Sequence, residues 1–164
     1  MNVRPMADED RSALVWIVRH TPEFGPADIP VAEEVLDAYL KDPVGSGYNV
    51  LVAEDASGVV GYICYGPTPV TVGTWDIYWM AVAPMERGRG VGRVLMQCAE
   101  AAIRDSFGRL AIIETSSKLE YERTRSFHLS QGYLVVSRVP DFYAPGDDKL
   151  ILCKRLKEEG RRED

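Results

Sequence analysis

The chain has 164 residues, 46% hydrophobic and 27% charged, with a formal net charge of −6; this suits one folded cytosolic domain with a core and excludes a low-hydrophobicity disordered chain. The acid excess removes the broad positive field of a nucleic-acid binder, residues 1–12 lack the apolar stretch of a signal peptide, and no run approaches the roughly 18 apolar residues of a membrane helix. Cys64, Cys98 and Cys153 are far apart with no CxxC spacing, so they read as reduced core thiols of a cytoplasmic protein, with no metal site expected.

Residues 2–6 suit a short edge strand. Residues 8–20, "DEDRSALVWIVRH", open with carboxylates and place Leu14, Ile17 and Val18 at helical spacing, which predicts a helix with acids at its positive end. The proline- and glycine-rich residues 21–30 form a loop. Over 31–41 a second helix is predicted from Val31, Val35, Leu36, Tyr39 and Leu40. Residues 48–55, 58–66 and 74–82 are β-branched and aromatic runs, the first two joined by the hairpin signal "DASG", so three consecutive antiparallel strands are expected.

From Val91 the period changes. Val91, Val94, Leu95, Cys98 and Ala102 mark the apolar face of a helix, while Arg93, Gln97, Glu100 and Arg104 mark its polar face, and Gly108 ends it. Residues 109–117 form a strand parallel to its predecessor, because a helix separates the two. A shorter helix over 121–132 and two strands around "APGDD" complete the chain. The expected fold is α/β (α+β): a mixed, mostly antiparallel sheet of about six to seven strands with a central parallel pair, flanked by about four helices. Residues 1–156 form the single domain. The tail 157–164, "KEEGRRED", has no apolar residue to bury and is expected to be disordered.

The informative stretch is "RGRGVG", Arg87 to Gly92, between a strand and a helix. Glycine permits positive φ and close approach of a ligand to the backbone. The helix start adds unpaired N–H groups and the positive end of its dipole. Together these suit an anion such as a phosphate, with Arg87, Arg89 and Arg93 able to add charge-assisted contacts. No lysine follows the glycines as a Walker A motif requires. A GxGxxG dinucleotide fingerprint begun at Gly88 would have Arg93 in its last place.

The stretch resembles the pyrophosphate loop of the GNAT superfamily of N-acetyltransferases, written Q/R-x-x-G-x-G/A and matched by Arg87, Gly88, Arg89, Gly90, Val91 and Gly92 after "MAVAP". The resemblance is strongest from Trp75 to Tyr133. It implies acetyl-CoA bound where two parallel strands splay apart. Main-chain groups of Met80, Ala81 and Val82 would hold the pantetheine arm, and the loop amides with Arg93 would take the pyrophosphate.

Acetylation of an amine by a thioester needs a group to accept the ammonium proton and an N–H donor for the oxygen that gains charge. The resemblance implies the backbone N–H of Val82 for the oxygen. Asp76, at a strand position where relatives often carry a base, and Glu114, at the end of "LAII", are the candidate bases. The family pattern places a tyrosine acid where this chain has His128; histidine can donate a proton near neutral pH. Tyr121 and Tyr143 are the substitutes for that role. The architecture implies an acceptor site around Phe24, Tyr65, Tyr78 and Tyr143. The expected activity is direct transfer of acetyl from acetyl-CoA to a primary amine of a small molecule or peptide, in a ternary complex. The alternative is a non-catalytic acyl-CoA sensor on the same fold, motivated by the replaced tyrosine. No nucleic-acid or membrane partner is expected, and a homodimer built on the last strands is common in the superfamily.

Overall fold

The computed structural model describes residues 1–156, so the expected disorder over 157–164 concerns residues outside those described. The elements are β1 (Asn2–Pro5), α1 (Arg11–Arg19), α2 (Asp28–Lys41), β2 (Asn49–Asp55), β3 (Gly58–Pro67), β4 (Thr74–Val82), α3 (Val91–Asp105), β5 (Leu110–Ser116), α4 (Glu122–Ser130), β6 (Leu134–Ala144) and β7 (Asp147–Arg155). This is the predicted order. The strands form one mixed sheet, β1-β2-β3-β4-β5-β7-β6, whose parallel pair is β4–β5. The chain divides into two compact units: Met1–Pro67 with Ile77–Ala99, and Thr68–Asp76 with the chain from Glu100 onward.

In the first unit α1 and α2 cover one face of β2 and β3. Leu14, Ile17, Val18, Ala32, Leu36, Val50, Val52, Tyr62 and Cys64 are at most 1% exposed and form its core. Each large apolar side chain buried there stabilises the fold by about 1.5–3 kcal/mol. The acids of residues 8–10 form a 3-10 turn ahead of α1, and Asp10 is buried. Arg4 donates to both its oxygens at 2.7 and 2.9 Å and reaches Glu54 at 2.8 Å. The guanidinium holds the Asp10 carboxyl below its ordinary range. α2 starts at Asp28, three residues before the expected start, with Pro30 in the first turn where its missing N–H leaves no helical bond unmade. The buried stripe is Ala32, Val35, Leu36 and Tyr39, and Val31 is exposed.

On β3, a Cβ at Gly61 would lie 2.9 Å from the Ala81 carbonyl oxygen, 3.1 Å from Val91 Cγ1 and 3.3 Å from Leu95 Cδ1. Glycine is needed there because the backbone of β4 and the first turns of α3 both close onto that point. The packing of the α3 start is thus set by an absent side chain on β3.

In the second unit β4 and β5 pair in parallel at Thr74↔Leu110, Trp75↔Ala111 and Asp76↔Ile112, and β5 continues antiparallel to β7, which pairs with β6. Glu100, predicted on the polar face of α3, is 3% exposed. It accepts from Tyr133 Oη at 3.1 Å and Lys154 Nζ at 2.7 Å. A buried carboxylate needs such partners, and these come from residues far along the chain. His128 is also buried, its Nδ1 has no hydrogen-bond partner among the described residues, and burial lowers its pKa from 6.5 to about 4. Of the cysteines, Cys64 is buried while Cys98 and Cys153 are half-buried, all three free. Among the described residues no helix is long and apolar enough to cross a membrane, and no group of His, Cys, Asp or Glu could hold a metal ion.

Two outcomes follow from this packing. Gly61→Ala drives a methyl group into backbone and should destabilise the fold by about 1–3 kcal/mol, lowering Tm by several degrees; an unchanged Tm would show slack between β3, β4 and α3. As pH falls from 6.5 toward 4, unfolded chains take up a proton that folded His128 refuses, so stability drops across that window by up to about 3 kcal/mol. His128→Phe should lose less Tm than wild type between pH 7 and pH 5, and equal losses would contradict the buried neutral imidazole.

Candidate functional site

Within the first unit, β4 ends at Val82 and a 3-10 turn over Pro84–Glu86 redirects the chain into residues 87–90. Gly88 and Gly90 have φ of +78° and +84°, a region that strains other residues. A Cβ on either would meet nothing within 4 Å, so both stand open. α3 begins at Val91, and its first bond at Gly90 runs from the Val94 N–H to the Gly90 carbonyl at 3.1 Å. The amides of Val91, Gly92 and Arg93 precede that bond and take no helical carbonyl. The result is a run of backbone donors at the positive end of a helix dipole, with open space at the Cβ positions of its two glycines. That arrangement fits a phosphate group.

The arginines are arranged less simply than expected. Arg87 forks onto Glu23, with Nη1 to Oε1 at 3.3 Å and Nη2 to Oε2 at 3.1 Å, and its Nε donates to the Val82 carbonyl at 3.5 Å. Arg89 pairs with Glu86 at 2.5 Å. Arg93 is exposed and makes no ion pair among the described residues. Two of the three cations are thus balanced by glutamates, and Arg93 is the one left uncompensated. Glu23 was not singled out in the sequence, where it is one acid in a loop 64 residues away from its partner.

Met80, Ala81 and Val82 occupy the last residues of β4 in the same unit, with Ala81 buried and its neighbours half-buried. Phe24 meets Trp79 edge-on at 5.2 Å between centroids, and Tyr78 meets Tyr48 edge-on at 5.5 Å. Tyr65, expected to line an acceptor site, is 4% exposed, and burial pushes its hydroxyl up to about 12.

The second unit holds the remaining expected residues. Asp76 and Glu114 point to one face of the parallel pair, because Asp76 is in register with Ile112 and Glu114 lies two residues further along β5. Asp76 Oδ2 accepts from Thr68 Oγ1 at 2.6 Å. Glu114 is half exposed and paired with Lys149 Nζ at 2.7 Å. The same ammonium sits 3.8 Å from the Phe142 ring centroid, and Phe142 meets Tyr143 edge-on at 4.9 Å. Glu114 and Tyr143 are therefore joined through Lys149 and Phe142. Lys149 escaped sequence reasoning because it reads as the first residue of a strand. His128 packs near Phe127 and Tyr133, at 5.3 and 6.1 Å between centroids. Burial lowers its pKa to about 4, which disfavours the imidazolium that its expected role as a proton donor would use. Tyr121 is half-buried at the start of α4.

A scan against family models matches residues 46–134 to the acetyltransferase (GNAT) domain. A search of curated protein sequences finds no match. Among solved structures, a GNAT-family protein from Desulfovibrio desulfuricans is 35% identical, with a TM-score of 0.91 over 95% of this chain and 99% of that one. An aminoglycoside 6'-N-acetyltransferase complexed with coenzyme A is similar at TM-score 0.78 and 17% identity, over 98% and 99% of the two chains. A ribosomal-protein-alanine N-acetyltransferase from Brucella melitensis reaches 0.73 at 24% identity, over 94% and 99%. At those two identities the likeness is one of fold. With the family match spanning over half of the chain and the Desulfovibrio protein aligned along nearly all of it, the chain belongs to the GNAT family of acetyltransferases, for which acetyl-CoA is the acyl donor.

Proposed function

We propose that this protein transfers the acetyl group of acetyl-CoA directly to a primary amine of a small molecule or peptide, in the cytoplasm, with residues 1–156 as the working domain. The observation that carries this reading is the open backbone cradle of Gly88 and Gly90 leading into α3. In it the amides of Gly88 to Arg93 hold the pyrophosphate, Arg89 and Arg93 add charge, and the main chain of Met80, Ala81 and Val82 holds the pantetheine arm. Acetyl-CoA supplies an activated acetyl thioester. The Val82 N–H is assigned to the carbonyl oxygen that gains negative charge, since a fixed donor aimed at developing charge costs no reorganisation.

The amine must lose a proton to attack. Asp76 Oδ1 accepts no hydrogen bond among the described residues, while its other oxygen is fixed by Thr68. Glu114 would first have to release Lys149. This difference supports Asp76 as the proton acceptor. The departing thiol has an ordinary pKa of ~8.5 and needs little acid assistance, which accommodates a neutral His128. Burial pushes the Cys64 thiol up to about 12, so it is no nucleophile, consistent with direct transfer in a ternary complex. Phe24, Tyr78 and Tyr143, each partly exposed, are the aromatic residues assigned to the acceptor. Two structural neighbours, an aminoglycoside 6'-N-acetyltransferase and a ribosomal-protein-alanine N-acetyltransferase, span the small-molecule and peptide classes.

The neutral histidine at the usual tyrosine position is also the observation that favours an acyl-CoA sensor without turnover. A homodimer through β6 is supported by its exposure: every residue from Leu134 to Ala144 is exposed, and Leu134, Val135, Val136, Val139, Phe142 and Tyr143 are large and apolar. An edge strand of that kind is rarely left uncovered.

Thiol release with a panel of amines tests the reading. Gly90→Asp should abolish acetyl-CoA binding by calorimetry, because it adds a strained backbone residue and a carboxylate inside the cradle. Asp76→Asn should lower kcat by about a hundredfold and Glu114→Gln by less than about tenfold. The reverse ranking would move the base to Glu114, and binding with no release on any amine would favour the sensor.

A further inference from the structure

Arg87, the first residue of the cradle, is held rather than loose. Its Nη1 and Nη2 are given to the two oxygens of Glu23 and its Nε to the Val82 carbonyl. A guanidinium carries five N–H donors. Those three bonds leave one donor on each terminal nitrogen, and no other acceptor among the described residues takes them. The pair is partly buried, with the side chains 28% and 17% exposed. Glu23 is itself fixed. It lies in the loop joining α1 to α2, where the Thr21 hydroxyl donates to Ile17 at 2.8 Å and the Phe24 N–H donates to the Thr21 carbonyl at 3.1 Å. Phe24, the next residue, is fastened to β4 by its edge contact with Trp79. A planar guanidinium forked onto one carboxylate and bonded through Nε has a single orientation, so each remaining donor has a fixed direction, one on either edge of the group.

We propose that Glu23 is a positioning residue of the cofactor site: from the α1–α2 loop it fixes the guanidinium of Arg87 so that one of its two remaining donors meets a pyrophosphate oxygen of acetyl-CoA. This rests on the reading of residues 87–92 as the pyrophosphate loop. A side chain ordered before binding loses less freedom on meeting its ligand than a mobile one does, and the gain appears as affinity. The Glu23 carboxylate also opposes the arriving negative charge. The two effects have opposite signs on affinity, and positioning requires that the orientation of Arg87 outweigh the repulsion. A consequence is that the affinity for acetyl-CoA depends on the conformation of the α1–α2 loop.

The test is a calorimetric cycle with acetyl-CoA on wild type, Glu23→Ala, Glu23→Gln, Arg87→Ala, Arg87→Lys and Glu23→Ala/Arg87→Ala, with Tm measured for each to confirm folding. Glu23→Ala and Arg87→Ala should each weaken binding by about tenfold, and Glu23→Gln should follow, because an amide cannot accept both arms of the fork. The double variant should be no more than about twofold weaker than Arg87→Ala, and Arg87→Lys should not restore affinity, since an ammonium has no fork. KM for acetyl-CoA should rise with kcat held within about twofold, in the manner of lost ground-state binding. Unchanged or tighter binding by Glu23→Ala would overturn the proposal in favour of a competing carboxylate. An equal loss on the Arg87→Ala background would overturn it too, because Glu23 would then act without the arginine. If wild type binds acetyl-CoA and the Glu23 variants match it, the role of Glu23 falls and the loop reading stands. If wild type does not bind, the loop reading falls and takes this inference with it.

Discussion

A phosphate can reach backbone amides only where no side chain stands in front of them. Gly88 and Gly90 satisfy that condition twice, by adopting a left-handed backbone and by facing open space. The packing of the first unit serves that geometry. Gly61 lets β3, the backbone of β4 and the start of α3 approach closely, which fixes the direction in which the first amides of α3 point. A helix start held less firmly would carry the same donors in a wandering orientation, at a cost in affinity.

Charge is managed locally. The whole chain is acidic, yet the cradle carries three arginines within seven residues. Glu23 and Glu86 each balance one of them. An arginine paired in the free protein is fixed in place and withheld from stray anions, whereas an unpaired one is mobile and unselective. Of the three, Arg93 has no ion-pair partner among the described residues. The distribution favours a ligand that is satisfied mainly by backbone donors, which read shape as well as charge.

The element order was legible because hydrophobic period, turn residues and the glycine run agree with one another. The phase of individual helices was less so. α2 begins three residues early, with a proline accommodated in its first turn, and Ala32 rather than Val31 joins Val35, Leu36 and Tyr39 in the buried stripe. Glu100 reads as a solvated residue from helical spacing, yet its partners Tyr133 and Lys154 lie 33 and 54 residues away, beyond any local pattern. Glu23 escaped for the same reason, its partner Arg87 lying 64 residues away. His128 could be located from spacing, but its charge state depends on burial, which packing alone decides. Loop and strand ends carried a sequence signal; the side chains that orient them did not.

The central claim is that the amides from Gly88 to Arg93 bind the pyrophosphate of acetyl-CoA. The direct measurement is backbone amide chemical-shift mapping of the labelled protein, titrated first with acetyl-CoA and then with acetyl-pantetheine, which lacks the phosphates. The account predicts that the largest shifts with acetyl-CoA fall on Gly88, Gly90, Val91, Gly92 and Arg93, and that these are small with acetyl-pantetheine. Shifts in those amides that are absent with acetyl-CoA, or equal for both ligands, would contradict it.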